Sequence, residues 1–165
     1  MLPIRTVLHA TDFSPYSDFA FRLACSLARD YRARLVVMHV VEPPLVVYDS
    51  GSLLTPAGYA SSESVKEKLQ RVQAPSADVT VEHRLVDGDP AAEILRAAGE
   101  LHANLIVLGT HGRTGVRRLL VGSVAEQVVR RASCPVLTAK APRDHESTFD
   151  DFACARAGDK VHAGK

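Results

Sequence analysis

Tryptophan is absent from this chain of 165 residues, only 5% of the residues are aromatic, and cysteine occurs three times. Cys25, Cys134 and Cys154 are an odd number of thiols without any CxxC spacing. This pattern excludes a disulfide framework and a cysteine-based zinc site, and it is typical of a reducing compartment. The fold must therefore be held by a hydrophobic core, which a chain of this length is able to bury.

Long hydrophobic runs and an excess of one charge are also missing. No apolar run approaches the roughly 20 residues that a membrane span requires, and the N-terminus reaches Asp12 without the apolar region of a secretory signal. The formal net charge of +1 argues against a general role on nucleic acid, which requires a strongly basic face. We expect a cytoplasmic protein with neither a membrane nor a nucleic-acid partner.

Five short apolar runs are present instead. The second run, RLVVMHVV, and the fourth, NLIVLG, are nearly continuous and rich in β-branched residues, which is typical of parallel strands buried on both faces. The third run alternates between apolar and polar residues, which predicts a position nearer the edge of the sheet. The predicted strands comprise residues 4–10, 34–41, 79–86, 104–109 and 135–139.

Helical patterns separate these runs. Ser14-Pro15 and Asp89-Pro90 each combine a capping residue with a proline suited to a first helical turn, Gly122-Ser123 precedes the last helix, and residues 62–72 form the weakest one. This alternation predicts an α/β fold: a doubly wound, Rossmann-like, five-stranded parallel sheet of order 3-2-1-4-5 with helices on both faces. We assign one domain to residues 1–140, a long surface loop to residues 42–60 and a flexible tail to residues 141–165.

The spacing of glycines after the fourth strand is the main chemical feature. Gly109 and Gly112 follow a buried strand, and after nine intervening residues Gly122 with Ser123 opens a helix. Glycine allows close approach of a phosphate, a helix start presents unpaired N–H groups, and Ser123 adds a hydroxyl donor at the N-cap. Glycines at these places are also ordinary turn residues, so the spacing alone leaves phosphate binding and simple turns equally open.

Asp12 follows the first strand. Ligands of open α/β sheets bind beyond the carboxyl ends of the strands where the strand order reverses, and the order 3-2-1-4-5 makes strands 1 and 4 flank that crevice. Asp12 would then face Gly109, and its carboxylate would accept hydrogen bonds from ribose hydroxyls. The alternative is that Asp12 caps the first helix or braces the turn.

Other chemistries lack their motifs. The sequence contains no GxxxxGK[ST], no GxGxxG after the first strand, no GxSxG around Ser123 and no HExxH, and no residue is a clear general base. His9 and His39 lie on the first two predicted strands, and we interpret them as core histidines rather than a metal pair. His111 either touches phosphate or braces the loop. Arg113, Arg117 and Arg118 either attract a triphosphate by their charge or are ordinary surface residues.

Three segments resemble the universal stress protein family over roughly residues 4–140. They are ATDFS at residues 10–14, MHVV at residues 38–41, and GTHGRTGVRRLLVGSVAEQVVRRASCPVL at residues 109–137. The third contains the G-x2-G-x9-G-[ST] element that is typical of the family's ATP-binding branch and that a second branch lacks. Ala10 departs from the family, because many members carry proline there.

The resemblance implies ATP as the ligand, together with Mg²⁺ or Mn²⁺. Asp12 would contact the nucleoside with Gly109 beside the ribose, and Val40 or Val41 would meet the adenine through its main chain. The phosphate side and the pocket lining would be formed by Leu108, His111, Gly112, Gly122, Ser123 and Val124.

The resemblance also implies a homodimer that forms through the last strand, residues 135–139, from Pro135 to Ala139. We therefore predict an ATP-binding stress-response protein that acts as a nucleotide-dependent sensor or regulator of an unknown partner. The alternatives are a nucleotide-free dimeric interaction module and a slow ATPase or phosphotransferase. AMP, ADP or a cyclic nucleotide is a further option for the ligand.

Overall fold

The computed structural model describes residues 3–43, 47–49, 52–54, 62–110 and 122–140. Its strands are β1 (Thr6–Ala10), β2 (Arg34–Val41), β3 (Val47–Asp49), β4 (Ser52–Leu54), β5 (Val81–Asp87), β6 (Leu105–Gly109) and β7 (Val136–Ala139). Five of them form a parallel sheet of order β5-β2-β1-β6-β7. Leaving out the short strands β3 and β4, this order is 3-2-1-4-5, so the predicted fold is confirmed.

Strand β1 lies in the middle of the sheet. Its Val7 pairs with Leu35 of β2 on one side and with Leu105 of β6 on the other. The strand begins two residues later than the apolar run, because the side chain of Asn104 accepts the main-chain N–H groups of Arg5 (2.8 Å) and Thr6 (3.0 Å). Strand β5 lies at one end of the order, as its alternating sequence predicts.

The helices are α1 (Pro15–Tyr31), α2 (Ser62–Gln70), α3 (Pro90–Glu100) and α4 (Ser123–Arg131). Both predicted side-chain caps are confirmed: Ser14 accepts the N–H of Ser17, and Asp89 accepts that of Ala92. The cap of α4 is Gly122 rather than Ser123. Gly122 keeps an extended conformation (φ −66°, ψ 153°), so the helix begins only after it, and Ser123 is the first helical residue.

The sheet separates two hydrophobic clusters. Helices α1 and α2 pack on one face around residues such as Val7 and Leu69, and α3 and α4 pack on the other around residues such as Leu8 and Ile94. The fully buried side of α1 consists mainly of small residues, namely Ser17, Ala20, Ala24, Cys25 and Ala28, together with Phe21. The small side chains let the axis of α1 lie close to the sheet.

Part of the predicted surface loop at residues 42–60 is regular. Strands β3 and β4 form a separate antiparallel pair in which Tyr48 lies opposite Leu53. Strands of three residues are too short for an alternating pattern to be recognised, which explains why the sequence predicted only a loop. The predicted tail, residues 141–165, lies outside the described residues. No helix in the described ranges has both the length and the apolar character of a membrane span.

Candidate functional site

The carboxyl ends of β1 and β6 meet at one edge of the sheet. These strands are parallel neighbours, with His9 opposite Val107, so the loops that follow them begin side by side. Gly109, the last residue of β6, touches the first turn of α1: a Cβ atom on Gly109 would lie 3.1 Å from the carbonyl carbon and oxygen of Tyr16. The structure therefore brings the first turn of α1, which follows the Asp12 loop, against the end of β6.

Asp12 is half-buried in the loop between β1 and α1. Its Oδ1 atom accepts hydrogen bonds from the main-chain N–H of Ser14 (3.0 Å) and from the Ser14 hydroxyl (2.6 Å). The same Ser14 hydroxyl accepts the N–H of Ser17 (3.2 Å) and so caps α1. Asp12 therefore braces the turn, and the cap of the helix is Ser14. One carboxylate oxygen is tied to this turn, which fixes the direction of the side chain.

Thr11 and Ser17 hold this loop by hydrogen bonds, and the sequence analysis did not identify them as site residues. Their hydroxyls share a hydrogen bond of 2.7 Å, and the Thr11 hydroxyl accepts the main-chain N–H of Phe13 (3.0 Å). Thr11, Ser14 and Ser17 are all buried. Phe13 adopts a left-handed conformation (φ 61°), which is uncommon for a residue with a bulky side chain. Several hydroxyl residues at a strand-to-helix junction are the sequence feature that indicates such a network.

Val40 and Val41, the two candidates for an adenine contact, differ in the direction of their main chains. The Met38 carbonyl accepts the N–H of Thr11 (2.9 Å), so even-numbered residues of this part of β2 direct their main-chain groups toward β1. The Val41 carbonyl points the other way and accepts the N–H of Gly88 (3.0 Å). Since β1 ends at Ala10, the main-chain groups of Val40 face the space beyond that strand. Of the two, Val40 is placed to meet a ligand there.

The opposite side of the site is the start of α4. The N–H of Gly122 donates to the Thr110 carbonyl (2.7 Å), and the N–H of Thr110 donates to the Ala139 carbonyl (2.9 Å). The N–H of Gly122 is therefore used within the protein. No side chain caps α4, and the N–H groups of Ser123 and Val124 belong to the first turn, where intrahelical partners are lacking. The N–H groups of this first turn are the candidate phosphate donors among the described residues.

Several predicted site residues cannot be placed. His111 and Gly112 lie outside the described residues, as do the arginines of the same segment, Arg113, Arg117 and Arg118. Leu108 is buried on β6, in the cluster that packs against α3 and α4. It supports the site from within the core.

Both histidines of the central strands form hydrogen bonds, but only His9 is a core residue as predicted, whereas His39 is half-buried. His9 is fully buried, and its Nδ1 donates to the Val107 carbonyl (2.9 Å). Burial lowers the pKa of His9 to about 4, although the Val107 bond and the charge of Asp12 act in the opposite direction. His39 Nδ1 donates to the Thr11 carbonyl (2.6 Å). Within the described part of the chain, no group of three or more His, Cys, Asp or Glu residues could hold a metal ion.

Comparison with known proteins identifies relatives along nearly the whole described chain. Residues 3–140 match a family model described as the universal stress protein family. A universal stress protein of Methanocaldococcus jannaschii is 33% identical over 142 residues, which cover 84% of this chain and 84% of the relative.

Solved structures give the same result. The universal stress protein UspA from Lactobacillus plantarum is 26% identical with a TM-score of 0.65, covering 82% of this chain and 97% of that one. A universal stress protein in complex with cAMP is 29% identical with a TM-score of 0.59, covering 82% and 97%. A universal stress protein from Archaeoglobus fulgidus in complex with dAMP is 25% identical with a TM-score of 0.56, covering 85% and 100%.

Proposed function

The chain belongs to the universal stress protein family, and from that premise we propose that it binds ATP and acts as a nucleotide-dependent sensor or regulator in a stress response. One observation carries the proposal: the first turn of α1, which follows the braced Asp12 loop, lies against the end of β6, and Thr110, directly after β6, accepts the N–H of Gly122 at the start of α4. A carboxylate and the N–H groups of a first helical turn at one sheet edge match the two ends of a nucleotide.

The nucleoside is assigned to the side of Asp12. The bonds from Ser14 fix one carboxylate oxygen of Asp12 in the loop after β1, and in the proposal this carboxylate accepts the ribose hydroxyls. The main chain of Val40 would meet the adenine, because Val41 is already bonded to Gly88. A ligand held in this way would be recognised by its sugar and base, whatever its number of phosphates.

The phosphates are assigned to the first turn of α4. The N–H groups of Ser123 and Val124 would receive them, helped by the positive end of the helix dipole. Gly112 and His111 complete this side in the proposal. In the proposal, Mg²⁺ or Mn²⁺ enters together with the nucleotide, as Mg²⁺ usually does at phosphate sites.

A mononucleotide such as AMP or a cyclic nucleotide is a second candidate ligand. Two related proteins were solved with cAMP and with dAMP, and each of these ligands has a single phosphate, which favours this option. ATP is preferred because the G-x2-G-x9-G-S element extends from Gly109 to Ser123. No catalytic step forms part of the proposal. We also propose a homodimer through the edge strand β7, and a cytoplasmic location stays a prediction from the sequence.

Calorimetric titration of the purified protein with Mg-ATP, AMP and cAMP tests the assignment. We expect saturable binding of ATP, weakened at least about tenfold by Asp12→Asn, because an amide presents donors as well as an acceptor to the ribose. Asp30→Asn is the matched control, since it removes the same charge at the far end of α1, about 25 Å along the helix. Absence of binding at millimolar ATP would assign the protein to the interaction modules instead.

A regulator also requires a response to the ligand. Hydrogen exchange of the protein with and without saturating Mg-ATP should show slower exchange at the start of α4, where the ligand would occupy main-chain N–H groups. The amides of Leu35 and Val36, at the end of β2 away from Val40, provide the internal reference. Equal exchange at Ser123 and Val124 in both states would show that the phosphates do not bind there.

A further inference from the structure

The feature that the proposed function leaves unused is His39, a half-buried residue near the carboxyl end of β2. Its Nδ1 atom lies 2.6 Å from the Thr11 carbonyl oxygen. A carbonyl oxygen can only accept, so Nδ1 carries the proton and donates. The bond joins β2 to the first residue after β1, where the chain leaves the sheet.

This side-chain bond stands where a main-chain bond would continue the sheet. Thr11 N–H still donates to the Met38 carbonyl (2.9 Å), which extends the ladder by one step beyond β1. In a regular parallel ladder the next step would join the N–H of Val40 to the Thr11 carbonyl. His39 takes that carbonyl instead, so the loop is attached to β2 without using the main chain of Val40.

The Thr11 carbonyl also controls the residue that follows it. This carbonyl and the N–H of Asp12 belong to one planar peptide group, so fixing the carbonyl direction fixes how Asp12 leaves Thr11. On the other side of Asp12, the Phe13 ring packs on the His39 ring with centroids 4.4 Å apart. His39 thus contacts both neighbours of Asp12.

Other contacts hold Phe13 in its unusual conformation. Its N–H donates to the Thr11 hydroxyl (3.0 Å), and the Lys68 ammonium of α2 lies 4.5 Å from the centre of its ring. A left-handed non-glycine residue persists only where its surroundings determine it. The His39 ring is one wall of those surroundings.

We infer that His39 is a positioning residue for nucleotide binding, which sets the direction of Asp12 through its hydrogen bond to the Thr11 carbonyl and its contact with Phe13. The inference rests on the proposed function, because Asp12 is the residue through which it acts. It concerns the nucleoside side, so AMP and ATP should be affected alike.

Two substitutions of His39 separate the hydrogen bond from the bulk of the ring. His39→Leu removes the donor, whereas His39→Asn places an amide nitrogen two bonds from Cβ, as Nδ1 is. We expect His39→Leu to weaken AMP and ATP binding about tenfold and His39→Asn to restore most of the affinity. His83→Leu is the matched control. His83 lies on the edge strand β5, away from Asp12, and its Nε2 donates to the Val72 carbonyl (2.7 Å).

A double-mutant cycle with Asp12→Ala distinguishes positioning from general destabilisation. If His39 acts through Asp12, His39→Leu should have little further effect once Asp12 is replaced. Additive losses of affinity, or unchanged binding by a folded His39→Leu protein, would overturn the inference.

Hydrogen exchange of the nucleotide-free protein decides the same point without a ligand. The amides of Phe13 and Ser14 should exchange at least about tenfold faster in His39→Leu than in the wild type, and near the wild-type rate in His39→Asn and His83→Leu. Equal exchange in all four proteins would refute the positioning role. A wild type that binds no nucleotide but shows the expected exchange would refute only the proposed function.

Discussion

Gly109 and Tyr16 are in direct main-chain contact, because a Cβ atom on Gly109 would lie 3.1 Å from the Tyr16 carbonyl group and 3.3 Å from the Ser17 nitrogen. These are backbone atoms of the first turn of α1, and they cannot rotate aside as a side chain would. Gly109 is therefore required by packing, whether or not a ligand is bound. The glycine that the motif assigns to the ribose also holds α1 against the sheet.

Gly109→Ala should lower the free energy of unfolding by about 1–3 kcal/mol, since the added methyl group must push α1 away from β6. Denaturant unfolding measures the effect. Gly99→Ala is the control, because a Cβ atom on Gly99 of α3 meets nothing within 4 Å. That substitution should stabilise the protein by up to about 1 kcal/mol. Similar effects at the two positions would contradict the packing argument.

The sequence predicts the central features of the fold because each rests on local chemistry. The apolar run RLVVMHVV becomes β2 with the predicted bounds, and the Ser14 and Asp89 caps begin their helices as predicted. The order 3-2-1-4-5 follows from the alternation of strands and helices and is confirmed by the structure.

The candidate site could be predicted only in part, because its details depend on register. That β1 and β6 end side by side at one edge of the sheet follows from the strand order. The bond from His39 to the Thr11 carbonyl depends on how far β1 extends along β2, and the sequence does not contain that information. The sequence places Gly122 on the phosphate side, but it does not show that the N–H of Gly122 donates to the Thr110 carbonyl, because this contact joins residues that are twelve positions apart.

His9 should make the stability of the protein depend on pH. Burial lowers its pKa in the folded protein from 6.5 to about 4. As the pH falls, His9 of the unfolded chain therefore binds a proton at a higher pH than His9 of the folded protein. This contribution to stability is complete above pH 6.5 and is lost as the pH falls from 6.5 to 4, by about 3 kcal/mol in total.

Denaturant unfolding of the wild type and of His9→Asn at several pH values between 4 and 7 checks this prediction. Asparagine can still donate to the Val107 carbonyl but does not titrate in this range. The free energy of unfolding of the wild type should therefore fall more steeply than that of the variant as the pH is lowered. Parallel curves would show that the buried imidazole is not the source of the acid sensitivity.

The proposed dimer can be tested at Thr138. The bonds from Ile106 N to the Pro135 carbonyl (3.0 Å) and from Thr110 N to the Ala139 carbonyl (2.9 Å) show that odd-numbered residues of β7 direct their main chains toward β6. The N–H of Thr138 therefore points to the outer edge. Thr138→Pro should abolish pairing through that edge and yield a monomer by light scattering.

Thr138→Val is the matched control for that variant, because it keeps the outward N–H group and the volume of the side chain. It should have the same molar mass in solution as the wild type. A folded Thr138→Pro protein with the mass of a dimer would show that the subunits associate elsewhere.

The hydrogen bond between the Gly122 nitrogen and the Thr110 carbonyl has a consequence for how such proteins diversify. This bond joins Thr110 to Gly122 whatever residues connect them along the chain, so the number and chemistry of the connecting residues can change without shifting β6 or α4. The Asp12 side has no such freedom, because Gly109, Tyr16 and Ser17 interlock there. If the proposed function holds, evolution can therefore change the number and arrangement of the phosphates that such a protein prefers while the recognition of the nucleoside is inherited unchanged.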